Sequence, residues 1–123
     1  CQSGPKFTDE KYHSTGLGGE EGSPAPDSGR YEVSEAEDDR GRFKTPTLMN
    51  VALTAPYMHD GSLQTLEEVV EFYDRGGVEN PWWPLDPERK KLNLSPGDKK
   101  DLVAFLEALT GRTPQVDIPA PLE

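Results

Sequence analysis

The sequence predicts an all-α domain with long irregular loops. Two stretches, beginning near residues 65 and 95, place apolar residues three and four apart between recognisable cap residues. A third region, residues 14 to 42, is dominated by glycine, proline and acidic side chains and has no period at all. No run alternates apolar and polar residues convincingly, so no strand is expected. With 123 residues the chain has room for one modest core, and residues 1–123 are read as a single domain.

Residues 14–42 contain Gly16, Gly18, Gly19, Gly22, Pro24, Pro26, Gly29 and Gly41, together with the acidic run Glu35 to Asp39. Such a composition buries too little apolar surface to offset its own ordering entropy, so a long loop draped over the core is expected. Thr47 to Leu53, after Pro46, suits a short helix. The first full helix starts at Thr65, whose hydroxyl and the Glu68 carboxylate form a capping box. Leu66, Val69, Val70 and Tyr73 then share one face, and Gly76-Gly77 supplies the left-handed stop.

Asn80-Pro-Trp-Trp-Pro84 reads as a rigid turn whose indoles cover the open edge of a small core. The second helix starts at Ser95, with Pro96 at its first position and Asp98 favouring the helix dipole. Leu102, Phe105, Leu106 and Leu109 form its apolar stripe, and Gly111 ends it. Residues 112–123, with Pro114, Pro119 and Pro121, are expected to be extended.

Thirteen basic against 23 acidic residues give a formal net charge of −10. Nucleic acid and anionic membranes would repel such a chain; a basic redox partner is the better electrostatic match, although an acidic surface is also an ordinary route to solubility. No apolar run approaches the ~20 residues that span a bilayer, so no transmembrane segment is expected. A single cysteine excludes an internal disulfide. Two histidines without paired cysteines make a zinc site an unfavoured reading. No G-x-S-x-G, phosphate-cradling loop or H-E-x-x-H is present.

A set of ordered motifs nevertheless covers almost the whole chain. Gly4-Pro5-x-Phe7-Thr8-Asp9 is followed by His13-Ser14-Thr15-Gly16-Leu17. The block from Phe43 through Leu53-Thr-Ala-Pro-Tyr-Met-His-Asp-Gly61 comes next. Then come Thr65 to Gly77 and Leu102-Val-Ala-Phe-Leu-Glu-Ala-Leu-Thr-Gly111. In this order and spacing the chain resembles the C-terminal domain of the bacterial di-haem cytochrome c peroxidase and MauG family. The resemblance implies a cytochrome c-like fold, haem c as cofactor and a periplasmic location. It also implies a partner N-terminal haem domain and a small redox protein as electron donor or substrate.

Residue by residue, the resemblance places Cys1 at the last thioether cysteine of a Cys-x-x-Cys-His motif. Cys1 also admits two other readings, a lipidated first residue and an inert thiol. Tyr73 stands where the family's distal axial ligand sits. Peroxidases of the family carry methionine there and MauG-type members tyrosine, a hard donor that favours oxidised iron. A core tyrosine on the apolar stripe is equally compatible with that helix position. Thr54 and Pro56 match positions whose backbone carbonyls bind calcium between the two domains of the family; carbonyls are suitable hard ligands, but two alone hold the ion poorly. Met58 is read as packing, and His13 and His59 as hydrogen-bonded structural residues.

Three departures surround the cofactor. Gln2 stands in place of the proximal histidine, Met49 where arginine is common, and Ser14 where asparagine is common. The expected function is therefore electron transfer within a peroxidase-type oxidoreductase. This domain would relay electrons or oxidising equivalents to a peroxide-reacting haem elsewhere, with no catalytic residue of its own. The alternative is a haem-free pseudo-domain serving as a binding or structural module, anchored through a lipid at Cys1.

Overall fold

Two helices meeting over a small apolar cluster organise the chain. A computed structural model describes residues 1–18, 27–83 and 85–112. In chain order the regular elements are strand β1 (Tyr12–His13), helix α1 (Tyr31–Ser34), strand β2 (Phe43–Lys44), helix α2 (Leu66–Asp74) and helix α3 (Pro96–Ala108). Two 3-10 turns, Glu37–Asp39 and Val51–Leu53, complete the set.

Helix α2 begins where its sequence signals it. Thr65 accepts from the Glu68 amide while Glu68 accepts from the Thr65 amide, and Gly76 and Gly77 follow at φ 89° and 91°. These values lie in the left-handed region that glycine enters without a Cβ penalty. Helix α3 starts on a second capping box, Ser95 with Asp98. Asp98 therefore acts through direct hydrogen bonds as well as through the helix dipole.

The core consists of Leu66, Val70 and Leu106, with Leu48, Val51, Tyr57, Leu94 and Val103 packed around it. The stripe assignments need correction in two places. On α2 the fully buried side chain is Phe72, at 1% exposure, outside the expected face. On α3 Leu102 and Phe105 are exposed, Leu106 is buried, and Val103 rather than Leu102 packs against the core. Helix α3 thus presents two apolar faces, and only one meets the core.

Side-chain bonds knit the remaining segments to this pair. Lys99 on α3 reaches Glu71 at 2.6 Å and Asp74 at 2.7 Å on α2. Asp74 also accepts from the Leu94 amide at 2.8 Å, tethering the approach to α3. Asn50, at φ 62°, accepts from the Gly111 amide at 2.7 Å, and its own amide donates to the Leu109 carbonyl at 3.1 Å.

Strands β1 and β2 pair antiparallel, Tyr12 with Lys44 and His13 with Phe43. This short ladder was not expected from the sequence, because two residues per strand leave no room for an alternating pattern. It docks the N-terminal segment, which is further held by Thr8 Oγ1 on the Thr45 carbonyl (2.8 Å) and Thr47 Oγ1 on the Lys6 carbonyl (2.6 Å). Phe7 meets Phe105 edge-on at 5.7 Å.

Within 14–42 the described residues hold α1 and the first 3-10 turn, and Thr47 to Leu53 yields only the second 3-10 turn. Trp83 is buried and lies over Gly41, as a core-covering indole should. Trp82 is 64% exposed, so the expectation that both indoles cover the core holds for one of them. The tail from Thr113 lies outside the described residues.

Candidate functional site

A cleft of about 610 Å³ opens where the N-terminal segment, β2, the Val51–Leu53 turn, α2 and α3 converge. Its size falls within the range of small-molecule and cofactor sites. The apolar wall is made by Leu48, Val51, Val69, Val70, Leu102 and Leu106. These are largely the residues that build the core, so the cleft is an open continuation of it.

The residues that the resemblance assigns to haem or calcium, Cys1, Tyr73, Thr54 and Pro56, all reach this cleft. Cys1 and Gln2 line it from the N-terminal segment and Tyr73 from α2, with Thr54, Pro56 and Met58 on the segment between β2 and α2. Val69 and Tyr73 are half-buried because their face of α2 borders the cleft, while Leu66 and Val70 complete the core. Ser14 is buried, and its hydroxyl has no hydrogen-bond partner among the described residues. Met49 is 43% exposed and is absent from the lining.

The two histidines are held differently. His59 lies flat against Phe43, ring centroids 3.8 Å apart. His13 is hydrogen-bonded on both nitrogens, Nδ1 to Asp86 at 2.6 Å and Nε2 to Asp9 at 2.7 Å. Burial pushes the imidazole down, but the Asp86 and Asp9 bonds outweigh it and hold the His13 pKa above its ordinary value. Asp9 is held well below the usual carboxylate range, first by the Lys11 amide and further by His13. Burial would raise Asp86, yet His13 and the Glu88 amide bring it below its ordinary value.

Cys1, Asp9 and His13 bring one ligand-type atom each to within 4.8 Å of one another. No spacing motif groups these three residues, and Asp9 enters the sequence reading only as the end of the Gly4–Asp9 motif. Their proximity arises from β1 folding back beside the first residues. With both His13 nitrogens engaged by carboxylates, the trio is first an ion-paired cluster.

Arg89 was not anticipated. Its guanidinium lies 4.2 Å from the Tyr73 ring centroid, over the face of the phenol. Its Nε is buried and has no hydrogen-bond partner among the described residues. Nothing local in Glu88-Arg-Lys-Lys91 separates this cation from its neighbours. Only the turn that places its amide on the Asp86 carbonyl, at 2.8 Å, aims it inward.

As a cavity, the cleft suits a flat tetrapyrrole: apolar walls, a thiol at Cys1, a phenol at Tyr73 and an unmatched cationic donor at Arg89. As an iron site it is incomplete, because Gln2 offers a neutral carboxamide where the resemblance requires imidazole. Among the described residues His13 is the nearest alternative in sequence, and both its nitrogens are already bonded. A second depression of about 530 Å³, between α2 and α3, is lined by Glu67, Glu71, Lys99 and Lys100 and contains none of the expected site residues.

No protein-family model matches the chain. Among curated proteins, a cytochrome-c peroxidase of Denitromonas iodatirespirans is 45% identical over 93 residues, covering 76% of this chain and 24% of the relative. The methylamine utilization protein MauG of Methylorubrum extorquens is 36% identical over 121 residues, covering 97% of this chain and 32% of the relative. Among solved structures, a MauG-like protein associated with microbial copper homeostasis superposes with a TM-score of 0.70 at 41% identity, covering 82% of this chain and 35% of that one. The chain thus spans about a third or less of the length of these relatives.

Proposed function

The chain belongs to the bacterial cytochrome c peroxidase and MauG family as its C-terminal part, and from this we propose that it is the electron-transfer domain of a periplasmic peroxidase-type oxidoreductase with a cytochrome c-like fold. The relatives are larger proteins, which supports an N-terminal haem domain as partner. The observation that carries the reading is that Cys1 and Tyr73, far apart in sequence, line one apolar cleft.

Haem c, when bound, would supply one-electron chemistry. Within the reading, Cys1 would tether its edge and Tyr73 would present a hard oxygen donor to the iron. Leu48, Val51, Leu102 and Leu106 would exclude water from its faces. Calcium at the Thr54 and Pro56 carbonyls would need further oxygen ligands from another domain.

Gln2 favours a second reading, a haem-free module that keeps the fold and uses the cleft or its rim for binding. An absorption spectrum of the purified chain, with a pyridine haemochrome assay after denaturation, separates the two. A Soret band surviving denaturation supports covalent haem at Cys1. A featureless spectrum from a folded, helical protein overturns the haem reading and leaves the module.

A further inference from the structure

We propose that Arg89 is the anion-pairing residue of the cleft, and that it recognises a carboxylate on the periphery of a tetrapyrrole. The proposal rests on the reading of the cleft as a tetrapyrrole site and adds the group that orients the ligand within it.

The charge inventory of the cleft leads to Arg89 by elimination. Among the described lining residues none is a carboxylate. The ionisable side-chain cations are Lys44, Arg89 and the two histidines, and the Cys1 ammonium is paired with Glu88 at 3.8 Å. Lys44 is committed to Glu10 at 3.1 Å and to the Thr45 carbonyl at 3.3 Å. His13 is committed to Asp9 and Asp86, and His59 is stacked on Phe43. Arg89 has no ion pair among the described residues, and its Nε–H is buried and unmatched.

A buried donor without an acceptor costs on the order of 1–3 kcal/mol, more when the group is charged. A chain with a net charge of −10 has acidic side chains in excess, yet none meets this guanidinium among the described residues. The Tyr73 ring meets the guanidinium with its π face, 4.2 Å from the ring centroid, and accepts no hydrogen bond from the Nε–H. A guanidinium presented in this way matches the planar oxygens of a carboxylate. A flat apolar ligand that carries carboxylates on its edge satisfies both the walls and the donor.

The test uses the full chain produced without haem-attachment machinery. It is titrated with free-base protoporphyrin IX and, separately, with its dimethyl ester, both followed by porphyrin fluorescence. Neither probe contains iron, so Gln2 and Tyr73 ligation do not enter. The wild-type chain is expected to bind the diacid about tenfold to a hundredfold more tightly than the ester, the range for a hydrogen bond to a charged group. Arg89→Met is expected to abolish that preference, and Arg89→Lys to restore part of it.

Equal binding of diacid and ester by the wild-type chain overturns the role of Arg89 and leaves the tetrapyrrole cleft standing. This comparison needs no variant and so does not depend on any variant folding. An Arg89→Met chain that keeps the diacid preference has the same meaning. Binding of neither probe overturns both the role of Arg89 and the reading of the cleft.

Discussion

His13 Nδ1 and Asp86 Oδ2 stand 2.6 Å apart and join positions 73 residues apart in the chain. The bond fixes β1 against the segment that leads to Arg89, so it braces one side of the cleft.

Stability should therefore depend on pH in a defined window. The His13 pKa is raised on folding, so its contribution is complete below about pH 6.5 and is lost as pH rises through the folded value. The Asp9 and Asp86 pKa values are lowered, so their contribution is present above about pH 4 and is lost as pH falls. The urea midpoint should be highest between these limits and decline on either side. Asp86→Asn should flatten the alkaline decline; a wild-type midpoint that keeps rising from pH 6 to 8 would contradict the pairing.

Haemin binding should report the two ends of the iron axis separately. Tyr73→Phe should weaken binding of ferric haemin about tenfold, or about 1.4 kcal/mol, through loss of the oxygen donor. Gln2→His should tighten it by supplying the missing imidazole. Soret titrations of the full chain check both, and an unchanged affinity in Tyr73→Phe would assign that tyrosine to packing alone.

Phe72→Ala should cost about 3–5 kcal/mol, since Phe72 is the most deeply buried large side chain described. Thr65→Ala removes the hydroxyl that accepts the Glu68 amide and should cost about 1 kcal/mol. Urea unfolding by circular dichroism should rank the two in that order.

Gly41→Ala should destabilise by about 2 kcal/mol. Gly41 has φ 64°, and a Cβ there would meet the Trp83 indole. A lowered urea midpoint with an unchanged slope, together with altered tryptophan fluorescence, is the expected outcome.

What the sequence revealed follows from the range of the interactions concerned. Caps are local: Thr65 with Glu68, and Gly76-Gly77, sit within a few residues of the helix they bound, and they were legible. Burial within a helix was less so, because α2 faces the core with Leu66 and Val70 and the cleft with Val69 and Tyr73. A single apolar stripe could not distinguish those directions or point to Phe72. Cys1, Tyr73, Thr54 and Pro56 could be named only through the family resemblance, and their shared cleft is a property of the fold. The His13–Asp86 bond joins residues 73 positions apart and Arg89 meets Tyr73 across 16, and neither partnership leaves a local pattern.

The cleft walls are drawn from both ends of the described chain, from Cys1 to Leu106. A ligand that spans these walls touches segments that only the folded chain brings together, so its binding is linked to folding. A ligand at a hundredfold excess over its Kd would then add about 2.7 kcal/mol to the stability of the whole domain. For a domain of this size that corresponds to a rise of about 10 °C in Tm. A thermal-shift screen thus doubles as an affinity assay for this cleft, with no need for a chromophore in the ligand.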